Sequence, residues 1–351
     1  MITIEELLLL AKEKGASDLH ITVGIPPKCR VHGILVNLGE NKLLPSDTNR
    51  IIWPMLTDQL KQKLEKNGEI DFSYSIPNLG RYRVNVFKQR GSYAAAIRLV
   101  GTVIPHPKTL GIPESVLELT KKKRGLVLVT GPTGSGKSTT LASLIDVINT
   151  NSNSHIITLE DPIEYLHQHK KSIVNQREIG LDTDSYQDAL RAALREDPDV
   201  ILVGEMRDLE TIAIAITAAE TGHLVFSTLH TIGAANTVDR MIDVFPPHQQ
   251  QQIRIQLASV LEAVISQQLI PSSDGLGRVA AFEVMHVNSA IRNLIREAKA
   301  HQITSIIQTN KKFGMQTMDE AIYHLYISKM IDSEKAMHFA QDQGAIERRL
   351  F

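Results

Sequence analysis

A chain of 351 residues exceeds what one hydrophobic core usually organises, so two domains are expected. Apolar residues at 42% and charged residues at 22% describe an ordinary globular protein, and a formal net charge of −1 excludes a global pull toward nucleic acid or anionic lipid. The single cysteine, Cys29, excludes an internal disulfide and a four-cysteine zinc site, and fits the reducing cytoplasm.

The first segment, residues 3 to 14, reads as an amphipathic helix with Thr3 as N-cap and Glu6 completing a capping box. Its LLLL run is flanked by charge, no signal-peptide order is visible, and no apolar run approaches a membrane span, so any membrane association is peripheral. Strand-like stretches follow: DLHITV, KCRVHGILV, EIDFSYSI, GRYRVNVFKQRG and SYAAAIRLV, with one helix over residues 48 to 66 between them. This predicts a small α+β domain over residues 1–100. The stretch GTVIPHPKTLGIP, rich in proline and glycine, predicts a linker over 101–112. From residue 113 to 351 strands alternate with helices, the pattern of a parallel α/β sheet.

Residues 131 to 138, GPTGSGKS, lie between the apolar run GLVLVT and the helical STTLASLIDVINT. The pattern G-x-x-x-x-G-K-[ST] in a strand–loop–helix setting predicts a phosphate-binding loop for ATP, built from Gly131, Pro132, Thr133, Gly134, Ser135, Gly136, Lys137, Ser138 and Thr139. Backbone N–H groups would surround the β-phosphate, Lys137 would reach the β and γ oxygens, and Ser138 would ligate Mg2+. Downstream, VILVGE at 200 to 205 is an apolar strand ending in a carboxylate. Gly204 stands where many P-loop proteins carry a Mg2+-binding Asp, and Glu205 is placed to polarise the attacking water.

A second acidic group, IITLEDPIEY, puts Glu160, Asp161 and Glu164 at a strand's C-terminal end, where α/β sheets bind ligands. Glu160 and Asp161 are candidates to hold Mg2+ through water, and Glu164 is, with Glu205, a candidate to orient the attacking water; the same residues also read as a helix start, with Asp161 capping and Pro162 at the first position. In TGHLVFSTLHT, His223 and His230 bracket a strand that separates them by roughly 20 Å, too far to share a metal ion. Roles in hydrogen bonding to nucleotide or to a neighbouring subunit fit them better.

GPTGSGKST, ITLEDPIEY, VILVGEMRD and AETGHLVFSTLHT, in that order, resemble the Walker A, Asp box, Walker B and His box of the secretion ATPases that drive type II secretion and type IV pili. The resemblance implies a PAS-like N-terminal domain followed by a RecA-like P-loop ATPase domain with a helical C-terminal portion from about residue 285. The lack of a paired CxxC motif and of a long N-terminal extension points within the family toward the pilus-retraction members. So does AIRNLIRE at 290 to 297, where Ala290, Ile291, Leu294 and Ile295 make one apolar helix face and Arg292 and Arg296 lie on another.

Arginines on the predicted strands of the first half, Arg81, Arg83, Arg90 and Arg98, are candidates to complete the site. The resemblance implies that Arg83 and Arg98 act as fingers on the nucleotide phosphates, with Arg278 a weaker candidate across a subunit boundary. It further implies a cytoplasmic homohexamer, peripheral at the inner membrane, docked on a platform protein of the pilus machine. Competing readings are an accessory retraction paralogue, an assembly or secretion ATPase, a non-hydrolysing scaffold and a RecA-like nucleic-acid translocase. The last needs a basic channel, for which only KKKR at 121 to 124 offers itself, so no nucleic-acid partner is expected.

Overall fold

The computed structural model describes residues 2–31, 33–77, 79–101, 103–275 and 277–350. His32, within the expected KCRVHGILV strand region, and Thr102, within the expected linker, lie outside the described residues. The chain divides into two compact units: the first runs to Val103 and includes Pro162–Leu166, and the second comprises the rest.

In the first unit, helix α1 (Ile4–Glu13) starts on the anticipated capping box, with Thr3 N–H donating to Glu6 Oε2 at 2.9 Å and Glu6 N–H to Thr3 Oγ1 at 3.2 Å. Strands β1 (Asp18–Ile21), β2 (Lys28–Val31) and β3 (Ile34–Asn37) come next. The expected helix over 48 to 66 is in fact two, α2 (Pro45–Ile52) and α3 (Asp58–Asn67). Pro54 follows Trp53 and ends the first α-helix in a 3-10 turn, and Thr57 caps the second by accepting from Leu60 N–H. Strands β4 (Glu69–Ile76), β5 (Gly80–Gln89) and β6 (Ser92–Leu99) complete an antiparallel sheet of order β3-β2-β1-β6-β5-β4. Alternation along β5 buries Tyr82, Val84 and Val86 and turns Arg81, Arg83 and Asn85 to the other face. Arg90 is not on a strand: with Gly91 it forms the two-residue turn between β5 and β6, both at positive φ, which suits the strand twist.

In the second unit a short α4 (Glu114–Leu117) precedes β7 (Gly125–Thr130), which is buried at every residue. The KKKR stretch forms the exposed approach to β7, with Lys121 paired to Glu118 and Lys122 to Glu262. Then come α5 (Lys137–Asn151), β8 (His155–Glu160), β9 (Ile173–Glu178), α6 (Tyr186–Ala193), β10 (Val200–Val203), α7 (Leu209–Glu220) and β11 (Leu224–Leu229). Helices α8 (Ala234–Asp243) and α9 (Pro247–Val260) lead to β12 (Leu261–Pro271) and β13 (Arg278–His286). The helical end consists of α10 (Ser289–Arg296), α11 (Ile303–Thr309), α12 (Met318–Ile327), α13 (Ser333–Phe339) and α14 (Gln343–Leu350).

The sheet order is β13-β12-β7-β11-β10-β8-β9, parallel throughout except for β13. Its central strands are buried on both faces because helices cover both, which is why GLVLVT and VILV read as near-continuous apolar runs; in LVFSTL the buried Ser227 and Thr228 hydroxyls donate to Val203 O and Gly204 O. No helix begins at Asp161 and Pro162. The backbone there is extended, and Tyr165 forms a bridge with Gly101, so a tertiary pairing overrides the local capping signal.

Candidate functional site

A parallel sheet sends all its strand C-termini to one edge, and that edge collects the chemistry of the second unit. β7 runs into the glycine-rich loop, β11 into His230, β10 into Glu205, and β8 ends at Glu160. Because β11 lies between β7 and β10, the loop and Glu205 sit two strand spacings apart, about 10 Å. A triphosphate spans such a gap.

The loop is shaped by close approach. A Cβ on Gly131 would meet Gln267 O at 2.3 Å, and one on Gly136 would meet Gln267 Nε2 at 2.9 Å. Gly136 caps α5 at φ +89, a conformation open to glycine. Gln267, buried on β12, also accepts from Thr140 Oγ1 at 2.8 Å and so ties the loop to the adjoining strand. Lys137 is 8% exposed, and its ammonium donates to Gly131 O at 2.8 Å and Pro132 O at 3.0 Å. The side chain therefore folds across the loop with its charge at the loop mouth. Ser138 is exposed on the first helical turn, and Thr139 follows it. Buried Ser135 Oγ and Thr130 Oγ1 have no hydrogen-bond partner among the described residues, as expected of a cradle built for an external acceptor.

The acidic side of the edge is crowded. Glu160 accepts from Thr158 Oγ1 at 2.6 Å and from Gln176 Nε2 at 3.0 Å. Glu205 Oε1 lies 2.6 Å from Arg207 Nε and 3.1 Å from His230 Nε2. Burial raises the Glu205 pKa, but the Arg207 hydrogen bond and the charge of His230 outweigh it and hold the carboxyl below its ordinary value. Gly204 has no room for a side chain: a Cβ there would lie 2.9 Å from Tyr186 Oη and 3.0 Å from Leu159 O. The departure from an Asp at this position is thus enforced by packing. Tyr186 is pushed well above its usual pKa, first by burial and then by Asp161, Glu205 and Glu160, so its hydroxyl keeps its proton as a donor. Glu160, Asp161, Glu205 and the Ser138 hydroxyl are hard oxygen donors, suited to a divalent cation held largely through phosphate and water. No group of three His, Cys, Asp or Glu side chains placed to hold a metal ion occurs among the described residues.

Other anticipated residues lie elsewhere. His223 sits at the opposite end of β11, where Leu224 pairs with Gly125, and its Nδ1 lies 2.9 Å from Ala218 O. Glu164 is exposed in the Pro162–Leu166 segment, which goes with the first unit. Arg83 and Arg98 are direct partners across β5 and β6 and line a concavity of the first unit with Asp18, Asp71 and Asn85. Arg98 Nε lies 3.0 Å from Asp18 Oδ1; burial raises the Asp18 pKa, and hydrogen bonds from Ser17 and Arg98 bring it below the usual range. Arg278 is exposed at the start of β13. In α10 (Ser289–Arg296), Ile291 and Ile295 are buried and Leu294 half-buried, but Ala290 is exposed, because at about 100° per residue it lies about 100° from Ile291 and about 140° from Ile295 around the helix, off the buried stripe. Arg292 donates to Ala258 O and, at 2.8 Å, to Ser259 O, and pairs with Glu262 at 3.0 Å, closing the C-terminus of α9.

Tyr186, Arg207, Gln267 and Gln176 escaped the sequence reading. Arg207 had a signal, since it stands two residues from Glu205 and an extended stretch puts both on one side. Gln267 had a weaker one in the polar pair within LEAVISQQLIP, and Tyr186 and Gln176 had none, being brought in by the fold.

Residues 3–332 match the family described as type II/IV secretion system protein. The chain is 48% identical over 338 residues to the type IV pilus retraction ATPase PilT of Pseudomonas aeruginosa, covering 96% of this chain and 98% of that one. It is 48% identical over 320 residues to a twitching motility protein of Neisseria gonorrhoeae, covering 91% and 86%. The crystal structure of the pilus retraction motor PilT with bound ADP superposes with a TM-score of 0.92 at 53% identity, over 99% of this chain and all of that one. On this likeness of sequence, fold and phosphate-binding edge, the chain belongs to the type II/IV secretion system protein family.

Proposed function

We propose that this chain is a motor ATPase that works as a homohexamer, hydrolysing ATP to drive retraction of type IV pili. In this reading residues 1–100 form a PAS-like domain, 101–112 a linker and 113–351 a RecA-like ATPase domain. The observation that carries it is the convergence of the glycine loop, Glu205 and His230 on one sheet edge in a chain so similar to the retraction motor. The loop N–H groups and Lys137 bind the β and γ phosphates, and Glu205 takes a proton from the attacking water. Mg2+ held by Ser138, and through water by Glu160 and Asp161, would neutralise charge on the β and γ oxygens. Arg83 and Arg98 stabilise the transferring phosphoryl group when the first unit closes over the nucleotide, and closing and opening convert hydrolysis into rotation. Glu164, exposed in the Pro162–Leu166 segment, is the alternative water-orienting group.

A rotating stroke needs neighbours, hence the ring. Docking on an inner-membrane platform protein at the cytoplasmic face turns the stroke into filament withdrawal. No described helix is long and apolar enough to cross a membrane, and attachment through such a partner is in keeping with that. The test is phosphate release from Mg-ATP by wild type, Lys137→Ala and Glu205→Ala, with mass determination in solution. Activity in a six-subunit species, lost by about 10²-fold or more in both variants, is expected. Nucleotide binding without phosphate release by wild type would sink the motor reading in favour of a scaffold.

A further inference from the structure

The ladder between β11 and β7 ends at Leu229, so His230 stands just past the last rung, and its side chain is 44% exposed. Strand pairing and burial therefore do little to fix it, and its place depends on the turn that follows. That turn, residues 231–233, leads into α8 at Ala234. Gly233, the N-cap of α8 at φ +87, has no side chain with which to cap it. Two side chains on the β12–β13 pair take over. Ser266 Oγ accepts from Gly233 N–H at 3.0 Å and Glu283 Oε1 from Ala234 N–H at 2.6 Å, and the two residues stand opposite each other in the register. Thr231 Oγ1, next to His230, lies 2.7 Å from Thr237 Oγ1 in the first turn of α8, which ties the turn to the helix whose start Glu283 holds. Glu283 is 4% exposed, and Met318 N–H at the start of α12 donates to its other oxygen, Oε2, at 3.3 Å. One buried carboxylate thus serves two helix N-termini, where N–H groups and the helix dipole favour negative charge.

We infer that Glu283 is a positioning residue for hydrolysis that acts through His230. By holding the start of α8 against the sheet it fixes the turn at 231–233, and with it the approach of His230 Nε2 to Glu205 Oε1 at 3.1 Å. Its second bond makes α12 part of the same mount, so the mount does not shift independently of the helical end. Glu283 touches neither nucleotide nor water in this role. The inference rests on the proposed place of His230 beside Glu205 in the hydrolytic site.

The experiment uses the full chain with Glu283→Gln, Ser266→Ala, His230→Gln, and each of the first two combined with His230→Gln. Measured are kcat and KM for ATP, affinity for ADP and the melting temperature. Glu283→Gln keeps the size of the side chain but turns one acceptor into a donor facing an N–H. It lowers kcat by roughly 10-fold while KM and ADP affinity stay within about twofold. Ser266→Ala gives a smaller loss of the same kind. The decisive comparison is the double variants: their kcat equals that of His230→Gln alone, because a contact already removed cannot be misplaced. A loss of stability acting by itself would not depend on His230. Losses that multiply in the double variants overturn the inference, as does wild-type kcat in Glu283→Gln while His230→Gln is impaired. If Glu283→Gln does not fold, Ser266→Ala decides on the same comparison, and wild-type kcat there overturns the inference. Full activity in His230→Gln removes His230 from the proposed site, and the positioning role with it.

Discussion

Gly204 shows how a single missing side chain is decided by its neighbours. Tyr186 Oη and the Leu159 carbonyl occupy the space that a Cβ would need. Gly204→Ala should therefore destabilise the protein by about 1–3 kcal/mol, through overpacking at a rigid strand end. Thermal unfolding checks this, and Tyr186→Phe should recover only part of the loss, because the backbone carbonyl remains. A fully stable Gly204→Ala would show that the strand end yields. The sequence displayed the glycine and the glutamate after it, but Tyr186 is 18 residues earlier in the chain and reaches this point only through α6. The places of Lys137 and Glu205 beyond the ends of buried strands were legible because each follows its strand in one contiguous motif.

At the scale of elements, α10 illustrates how a periodic pattern and a specific contact coexist. Its buried Ile291 and Ile295 follow from the apolar spacing, whereas Arg292 closes another helix by donating to the last carbonyls of α9. Arg292→Ala should cost about 1–2 kcal/mol, read as a lower midpoint in denaturant at unchanged slope. Arg296→Ala, whose guanidinium only reaches Asn293 Oδ1 on the same helix, should cost a few tenths at most. Equal effects from the two would remove the capping role. β4 and β6 were legible almost residue by residue, because alternation is a local signal, but KCRVHGILV, expected as one stretch, is the pair β2 and β3, and Arg90, expected on a strand, lies in the turn after β5. β9 was not: IVNQRE mixes polar and apolar residues, and its place at the sheet edge demands no regular pattern.

For the molecule as a whole, acid sensitivity has an identifiable contributor. Burial pushes His167 down to about 4, with Asp146 opposing the shift and Lys170 adding to it. Its backbone N–H donates to Gln176 Oε1, so the ring is held where the chain returns to the second unit. Since the folded pKa lies below the unfolded value of 6.5, the unfolded chain binds a proton that the folded one refuses. This contribution is fully present above pH 6.5 and is lost as pH falls through 4. It amounts to roughly 2–3 kcal/mol between neutral pH and about pH 4.5. Urea unfolding at those two pH values should show His167→Gln losing less stability on acidification than wild type by that amount. Equal losses would place the acid sensitivity elsewhere.

What the sequence determined by itself was whatever is encoded in contiguous residues. The glycine loop, the buried strands and the α1 capping box each depend on propensities and spacings within a few positions. Only the tertiary structure decided which distant residues share the nucleotide edge. Parallel strand order put His230 beside Glu205 and sent His223 to the far end, and packing against Tyr186 excluded a side chain at Gly204. Gln267 was set beneath the loop by the β12–β7 pairing. The physical reason is that strand pairing and close packing join residues by register and volume, neither of which is written in local sequence.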